Sequence, residues 1–347
     1  MRRRLLAVAL GTTVGLGATE LALRLINAAL HPTIYLLDEQ LGWRHAPDVC
    51  RRLRDERGRE VTFATDADGL RVDPAAGPAP ASADARTVLF VGDSFTQGSQ
   101  VEHAETFVAR VGEALPNVRT LNAGVGGYST LQVSLALQSQ LPRHRPQLVV
   151  LTVFDNDFAD NLMPYFSGLG PRPFVAVDGA FASLRLGVDP TPFLPFLQPA
   201  PAAFWLYTHS ALYRAVHKNL FLPRHGDRLA RLEQEARRAL PEDDERVAMA
   251  VLLRQLGAAV RGAGAQLLVA AMPTRQQVAR GASPWQKWLA EHCATHEIPF
   301  VALLPALREA GAERCYYEVD IHLTREGHEA VTAAMAPAIE AALATPR

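Results

Sequence analysis

Four short segments of this chain combine residue types that can carry out nucleophilic chemistry. The first is Gly92-Asp93-Ser94, which follows directly on residues 87–91, a run of apolar and β-branched side chains. Such a run reads as a buried strand of a parallel sheet, and a serine just past its end lies where open α/β sheets place their chemistry. The glycine allows a sharp turn, and a helix expected from about residues 103–105 can aim its amides at developing negative charge. The second segment is the glycine-rich Asn122-Ala123-Gly124-Val125-Gly126-Gly127, whose backbone N–H groups can approach a ligand closely. The third, Phe154-Asp155-Asn156-Asp157, places a carboxamide at a strand end, where it can donate to an oxyanion. The fourth contains Asp320 and His322, two residues apart. In an extended segment both side chains point the same way, so the carboxylate can set the tautomer of the imidazole. His328, six residues further on, is expected to pack or to cap the following helix. Each segment alone also fits an ordinary turn. Asp155 and Asp157 suit a metal ion as well, but no histidine lies near them, so no metal and no cofactor is expected.

Taken in order, these blocks resemble those of the SGNH hydrolases, the GDSL esterase/lipase superfamily, from residue 86 to the C-terminus. The short preamble behind an apolar N-terminal segment also resembles envelope-associated members. The resemblance implies that Ser94 is the nucleophile, that His322 is the general base and that Asp320 orients it. The oxyanion donors it implies are the Ser94 amide, the Gly127 amide and the Asn156 side chain, with Gly126 a near competitor of Gly127. Two positions depart from the usual pattern. Phe154 stands where a glycine precedes the asparagine, and the acid lies two residues before the histidine instead of three, with Val319 at the usual place. With these residues, His322 takes the proton of the Ser94 hydroxyl, which attacks an ester carbonyl. Water or an acceptor alcohol then resolves the acyl-enzyme. A Gly-x-Ser-x-Gly signature is missing, because residue 96 is Thr; this disfavours the α/β-hydrolase fold.

The elements that must position these blocks are legible as an alternation. Strand-like runs lie at 87–91, 118–122, 148–153, 266–271 and 300–303, and helical patterns at about 105–115, 130–141, 245–262, 284–296 and 325–343. The alternation predicts a three-layer α/β/α sandwich around a mostly parallel sheet of flavodoxin-like strand order. Residues 165–244 break it and are expected to form an inserted cap, rich in Pro and in aromatics (Phe193, Phe196, Phe204, Trp205, Tyr207, Tyr213) and charged from 227 to 240. Residues 31–85 read as an irregular preamble, with a basic run (Arg51, Arg52, Arg54, Arg57, Arg59) taken as a solvated face, a turn at Asp66-Ala67-Asp68-Gly69, and a linker at 75–85. The expected division is therefore 1–30, 31–85, and a hydrolase-like domain at 86–347.

Residues 1–30 form a targeting segment. Arg2, Arg3 and Arg4 precede an uncharged run at 5–19, and Glu20 and Arg24 follow, four apart on one helical face. An uncleaved anchor and a cleaved signal peptide both fit, and both put the body outside the cytoplasm, on the periplasmic side. The 347 residues carry a net charge of −1, which favours neither nucleic acid nor an acidic surface as partner. The three cysteines, Cys50, Cys293 and Cys315, make no disulfide framework and no zinc pattern. Trp285 and Trp288 could serve as a sugar platform, but their spacing on a helix suits core packing. Three functions remain open: an esterase or deacylase acting on a small acyl ester, with a sugar as one candidate alcohol; an acyltransferase with the same machinery; and a non-catalytic polysaccharide-binding module.

Overall fold

The computed structural model describes residues 1–30, 33–75, 85–166, 169–178, 181–185, 206 and 209–345. Its centre is an eight-stranded sheet. Fourteen strands are labelled here in chain order: β1 (Tyr35–Asp38), β2 (Gly42–His45), β3 (Cys50–Arg54), β4 (Glu60–Thr65), β5 (Arg71–Val72), β6 (Arg86–Val91), β7 (Val118–Asn122), β8 (Leu148–Phe154), β9 (Tyr165–Phe166), β10 (Gly170–Pro171), β11 (Phe174–Asp178), β12 (Phe181–Arg185), β13 (Gln266–Met272) and β14 (Phe300–Ala302). The sheet runs β14-β13-β8-β6-β7-β5-β4-β3. The pairings from β14 to β7 are parallel. Counting only these five strands, the order is that of a flavodoxin-like sheet, as the alternation predicts.

The strands bury both faces because their residues alternate between two cores. Leu89, Val91, Val149, Leu151 and Val153 face the helices Thr130–His144, Glu242–Gly262 and Pro284–Thr295. Val88, Phe90, Leu148 and Val150 face the helices Phe107–Ala114, Leu304–Ala310 and Arg325–Ala344. β8 is buried along its whole length. Near-continuous apolar runs are what a strand covered by helices on both sides requires.

The preamble is not irregular. β3, β4 and β5 extend the sheet antiparallel beyond β7, through the pair Arg71 and Asn122. β4 explains itself, since its alternate residues Val61 and Phe63 are fully buried. β3, an edge strand rich in arginine, buries almost nothing, and such edges carry little apolar signal. Asp66 forms the expected turn by accepting the N–H groups of Asp68 and Leu70, both at 2.9 Å. The basic run is only partly a solvated face. Arg52 and Arg54 pair with Glu60 at the surface, but Arg59 makes a two-point contact with Glu105 at 2.8 and 3.0 Å. Most of the linker, residues 76–84, lies outside the described residues, as do Phe193, Phe196, Phe204, Trp205 and Tyr207 of the insertion. The described parts of the insertion are the hairpins β9–β10 and β11–β12 and the helices Ala211–Val216 and Leu222–Arg238.

His328 sits in the first turn of the last helix, 2% exposed, with Nδ1 accepting the Phe107 N–H at 3.2 Å and its ring stacked on Phe107. Burial, reinforced by Arg71, pulls its pKa down to about 3, and burial likewise lowers His45 to about 4. A histidine whose folded pKa is depressed contributes stability that is complete above its ordinary value and lost as pH falls through the folded value. Denaturant unfolding should therefore show a loss of stability from pH 7 to pH 4 that is smaller in His328→Gln, whose amide oxygen can still accept the Phe107 N–H. Equal losses in the two proteins would show that His328 is not a source of acid sensitivity.

Candidate active site

Three of the four segments leave the carboxyl ends of adjacent strands, β8, β6 and β7, so their loops meet at one edge of the sheet. After β6, Gly92 turns the chain with φ 154°, and a Cβ there would lie 2.9 Å from the Thr152 carbonyl. Ser94 is the first residue of a four-residue helix, Ser94–Gln97, so the chain becomes helical nine residues earlier than expected at residue 103. Asp93 caps this helix by accepting the Phe95 N–H at 2.9 Å, which holds Ser94 at its start.

The fourth segment reaches the same edge from the loop before the last helix. His322 Nε2 lies 2.6 Å from Ser94 Oγ, across 228 residues of sequence. Its Nδ1 is hydrogen bonded to Asp320 Oδ1. The two-residue spacing works through a turn, not through an extended segment. Asp320 Oδ1 also accepts the His322 backbone N–H at 3.0 Å, which closes an Asx-type turn that folds the carboxylate under its own histidine. Burial raises the Asp320 pKa, but the hydrogen bonds and charge of His322 outweigh it and hold the carboxyl below its ordinary range. An ionised Asp320 keeps the imidazole proton on Nδ1, which leaves Nε2 free to accept from the Ser94 hydroxyl. The His322 ring also packs on Phe95, which in turn packs on Phe154 at 4.3 Å. The phenylalanine that replaces the usual glycine thus supports the ring stack.

Gly127 is in the left-handed region (φ 75°), and a Cβ there would lie 3.1 Å from Phe166 of the insertion and 3.3 Å from Trp43. Its peptide is oriented from the preamble: Trp43 Nε1 donates to the Gly126 carbonyl at 2.9 Å. In a trans peptide the Gly127 N–H then points away from Trp43. Asn156 sits half-buried at the start of the short helix Asp157–Asp160. One Nδ2 hydrogen goes to Asp160 Oδ2 at 2.7 Å, and the second is left for another acceptor. Asp160 is fully buried and is held by Arg172 at 2.7 Å and by Arg237, both from the insertion. Arg172 also donates to the Gly127 carbonyl at 3.2 Å.

Asp155 and Asp157 lie in different surroundings. Asp155 is exposed, whereas Asp157 is buried and accepts the Phe154 N–H at 2.8 Å. Burial raises Asp157 well above its ordinary pKa, and Asp93 pushes it further. Asp93 itself rises to about 6, chiefly through burial. Among the described residues no group of three or more His, Cys, Asp or Glu side chains could hold a metal ion. Trp285 and Trp288 pack edge-on against Phe158, each at 5.6 Å, which ties them into the core beside the third segment. The three cysteines are unpaired.

Two residues that sequence reasoning did not single out touch this site. The Gln100 carboxamide nitrogen lies 2.9 Å from His322 Nδ1 and donates to Asp320 Oδ2 at 3.4 Å. Glu56, in the turn between β3 and β4, accepts three successive backbone N–H groups of the histidine loop: Glu318 at 3.1 Å, Val319 at 2.9 Å and Asp320 at 2.6 Å. The Asp320 N–H is the largest of the influences that hold the Glu56 carboxyl below its ordinary pKa. Nearby, the Arg57 guanidinium lies over the Tyr317 ring. The acidic pair inside the arginine run, Asp55-Glu56, was the only local signal for this contact. Glu56→Ala should lower the kcat of any reaction carried by Ser94 and His322 severalfold with KM little changed, because it loosens the loop that carries Asp320 and His322 while leaving Ser94, Gly127 and Asn156 in place. An unchanged kcat would show that the loop holds its geometry without Glu56.

Residues 90–330 match the GDSL-like lipase/acylhydrolase family. In structure the chain is similar to a GDSL-like lipase from Bacteroides thetaiotaomicron, with 15% identity over 74% of this chain and 89% of that one and a TM-score of 0.38. It is similar to an acetyl xylan esterase from Geobacillus stearothermophilus, with 12% identity, 73% and 94% coverage and a TM-score of 0.40. A third similar structure is the psychrotrophic esterase EstA from Pseudoalteromonas sp., with 12% identity, 75% and 100% coverage and a TM-score of 0.42. No curated protein sequence matches the chain.

Proposed function

Because the chain belongs to the GDSL-like lipase/acylhydrolase family, we propose that it is a carboxylic ester hydrolase that works through an acyl-enzyme on Ser94. The observation that carries this reading is the continuous hydrogen-bonded line from Ser94 Oγ through the His322 ring to Asp320. In it the Ser94 hydroxyl is the nucleophile and His322 Nε2 removes its proton. Asp320 keeps the imidazole in the required tautomer and steadies the imidazolium that forms. The negative charge that develops on the carbonyl oxygen is taken up by the Ser94 and Gly127 N–H groups and by the Nδ2 hydrogen of Asn156 that Asp160 leaves free. Donors fixed in advance in this way stabilise the transition state without having to reorganise. His322 then returns the proton to the departing alcohol, and a water activated by the same imidazole releases the acid. The expected substrates are esters of small acyl groups, with sugars among the alcohols to be tried.

The helix Arg2–Ile26 is long and apolar enough to cross a membrane, and none of it is buried inside the protein. We take it as an uncleaved anchor, with the three arginines on the cytoplasmic side and the catalytic domain on the periplasmic side. Residues 86–347, with the insertion at about 165–244, are taken as the catalytic domain, and β3, β4 and β5 are its extension.

Turnover of short-chain p-nitrophenyl esters tests the reading. Ser94→Ala and His322→Ala should reduce it to the background rate. Asn156→Ala should retain activity lowered by roughly 10²–10³-fold, the usual effect of losing one oxyanion donor. Hydrolysis that survives Ser94→Ala would refute the nucleophile, and an Asn156→Ala enzyme as fast as the parent would remove the carboxamide from the oxyanion site.

A further inference from the structure

Outside the N-terminal helix, the described residues expose five large apolar side chains: Leu206, Val216, Leu220, Val319 and Ile321. Three of them fall in one stretch of the insertion, residues 206–220, and this stretch is fastened to the apolar N-terminal helix. The Glu20 carboxylate accepts the Ser210 hydroxyl at 2.8 Å and the Ala211 and Leu212 N–H groups, both at 2.9 Å. Arg24 Nε donates to Glu20 at 2.7 Å, and another Arg24 nitrogen donates to the His209 carbonyl. A lone carboxylate among apolar residues of a membrane helix is expensive, whereas one that receives four donors is not. Glu20 follows Arg4 by sixteen positions, about 24 Å along a helix, so Glu20 lies near the outer edge of a hydrocarbon layer about 30 Å thick. The bonds to Glu20 bring the start of the helix Ala211–Val216 to that same level.

The sequence of the fastened stretch suits such a place. From Ser210 to Gly226 there is no acidic residue, while Arg214, Lys218 and Arg224 are basic. Apolar side chains interspersed with lysine and arginine are the signature of a segment lying in the headgroup layer, where the cations meet lipid phosphates. Exposed apolar residues gathered beside an anchor helix mark a lipid-facing surface.

We propose that residues 209–224 rest on the outer surface of the phospholipid bilayer, with Glu20 and Arg24 as the latch that holds the insertion to the anchor. The proposal rests on the reading of residues 2–26 as an uncleaved membrane anchor. It also connects the bilayer to the site, since the helix Leu222–Arg238 ends with Arg237 on Asp160, the partner of Asn156.

The test uses the full chain, with Cys50→Ser to remove the exposed thiol, in vesicles of phosphatidylcholine and phosphatidylglycerol. Single cysteines introduced as Val216→Cys, Leu220→Cys and, as a control on an exposed helix face, Lys287→Cys each carry a fluorophore. Quenching by nitroxide-labelled lipid and by aqueous iodide is compared. Probes at 216 and 220 should be quenched by the lipid and shielded from iodide, with the reverse at 287. Glu20→Ala, and independently Arg24→Ala, should raise iodide quenching at 216 and 220 at least twofold while the protein still floats with the vesicles. Iodide access at 216 and 220 in vesicle-bound parent protein would overturn the proposal and leave the anchor intact. Shielding from both quenchers would also overturn it, in favour of a second copy of the chain or another protein. No change in Glu20→Ala or Arg24→Ala would overturn the latch. Failure of the parent to float would refute the anchor and the proposal together.

Discussion

The 2.6 Å contact between Ser94 Oγ and His322 Nε2 is the constraint on which the rest of the structure depends. It requires a loop that follows the first parallel strand to meet a loop that precedes the last helix. The parallel sheet meets half of that requirement by sending β6, β7 and β8 to one edge. The other half is met by side chains that hold each loop in place, and these come largely from the preamble. Trp43 fixes the peptide between Gly126 and Gly127. Arg71, 1% exposed, donates to the Gln97 carbonyl at 2.5 Å and also to those of Gly98 and Val101, just after the helix that Ser94 begins. Glu56 gathers three amides of the histidine loop. Three residues of the preamble thus each hold a different block of the candidate site.

A second set of bonds comes from the insertion and carries more electrostatic cost. It pairs with a buried acid of the core, Asp160; Asp93, Asp157 and Arg172 are buried as well. Burying charge is unfavourable unless it is paired and hydrogen bonded. Asp160 has Arg172, Arg237 and Asn156, so its charge is well matched. Asp93 and Asp157 each accept one backbone N–H, and the charge of Arg172 offsets the burial of Asp157 only in part. Burial is the main reason that both carboxyls are pushed above their ordinary range, and Asp93 pushes Asp157 further.

The five parallel strands and their order were legible in the sequence, because strands covered on both faces must be continuously apolar and their helices must follow in turn. Ser94, Asp320 and His322 could be singled out because each stands in a short local pattern, Ser94 just past a strand and the other two shortly before the last helix. What escaped was long-range or shallow. The arginine-rich β3 has no apolar face to announce it. Glu56 reads as one charge among several, and its partners lie 262 to 264 positions away. The bond from Asn156 to Asp160 spans only four residues, yet its meaning depends on Arg172 and Arg237, which belong to an insertion whose packing follows no periodic rule. Even the spacing of two between Asp320 and His322 fits extended backbone, where an Asx-type turn does the same work.

The central claim is that one geometry joins the nucleophile to its oxyanion donors, and a crystal structure of the protein inactivated by an alkyl phosphonate measures it most directly. The phosphonate bonded to Ser94 Oγ stands in for the tetrahedral intermediate. Its unesterified oxygen should lie about 2.7–3.1 Å from the Ser94 and Gly127 nitrogens and from Asn156 Nδ2, with His322 facing the leaving-group side. A phosphonyl oxygen directed away from Gly127 and Asn156, or an adduct on any residue other than Ser94, would contradict it.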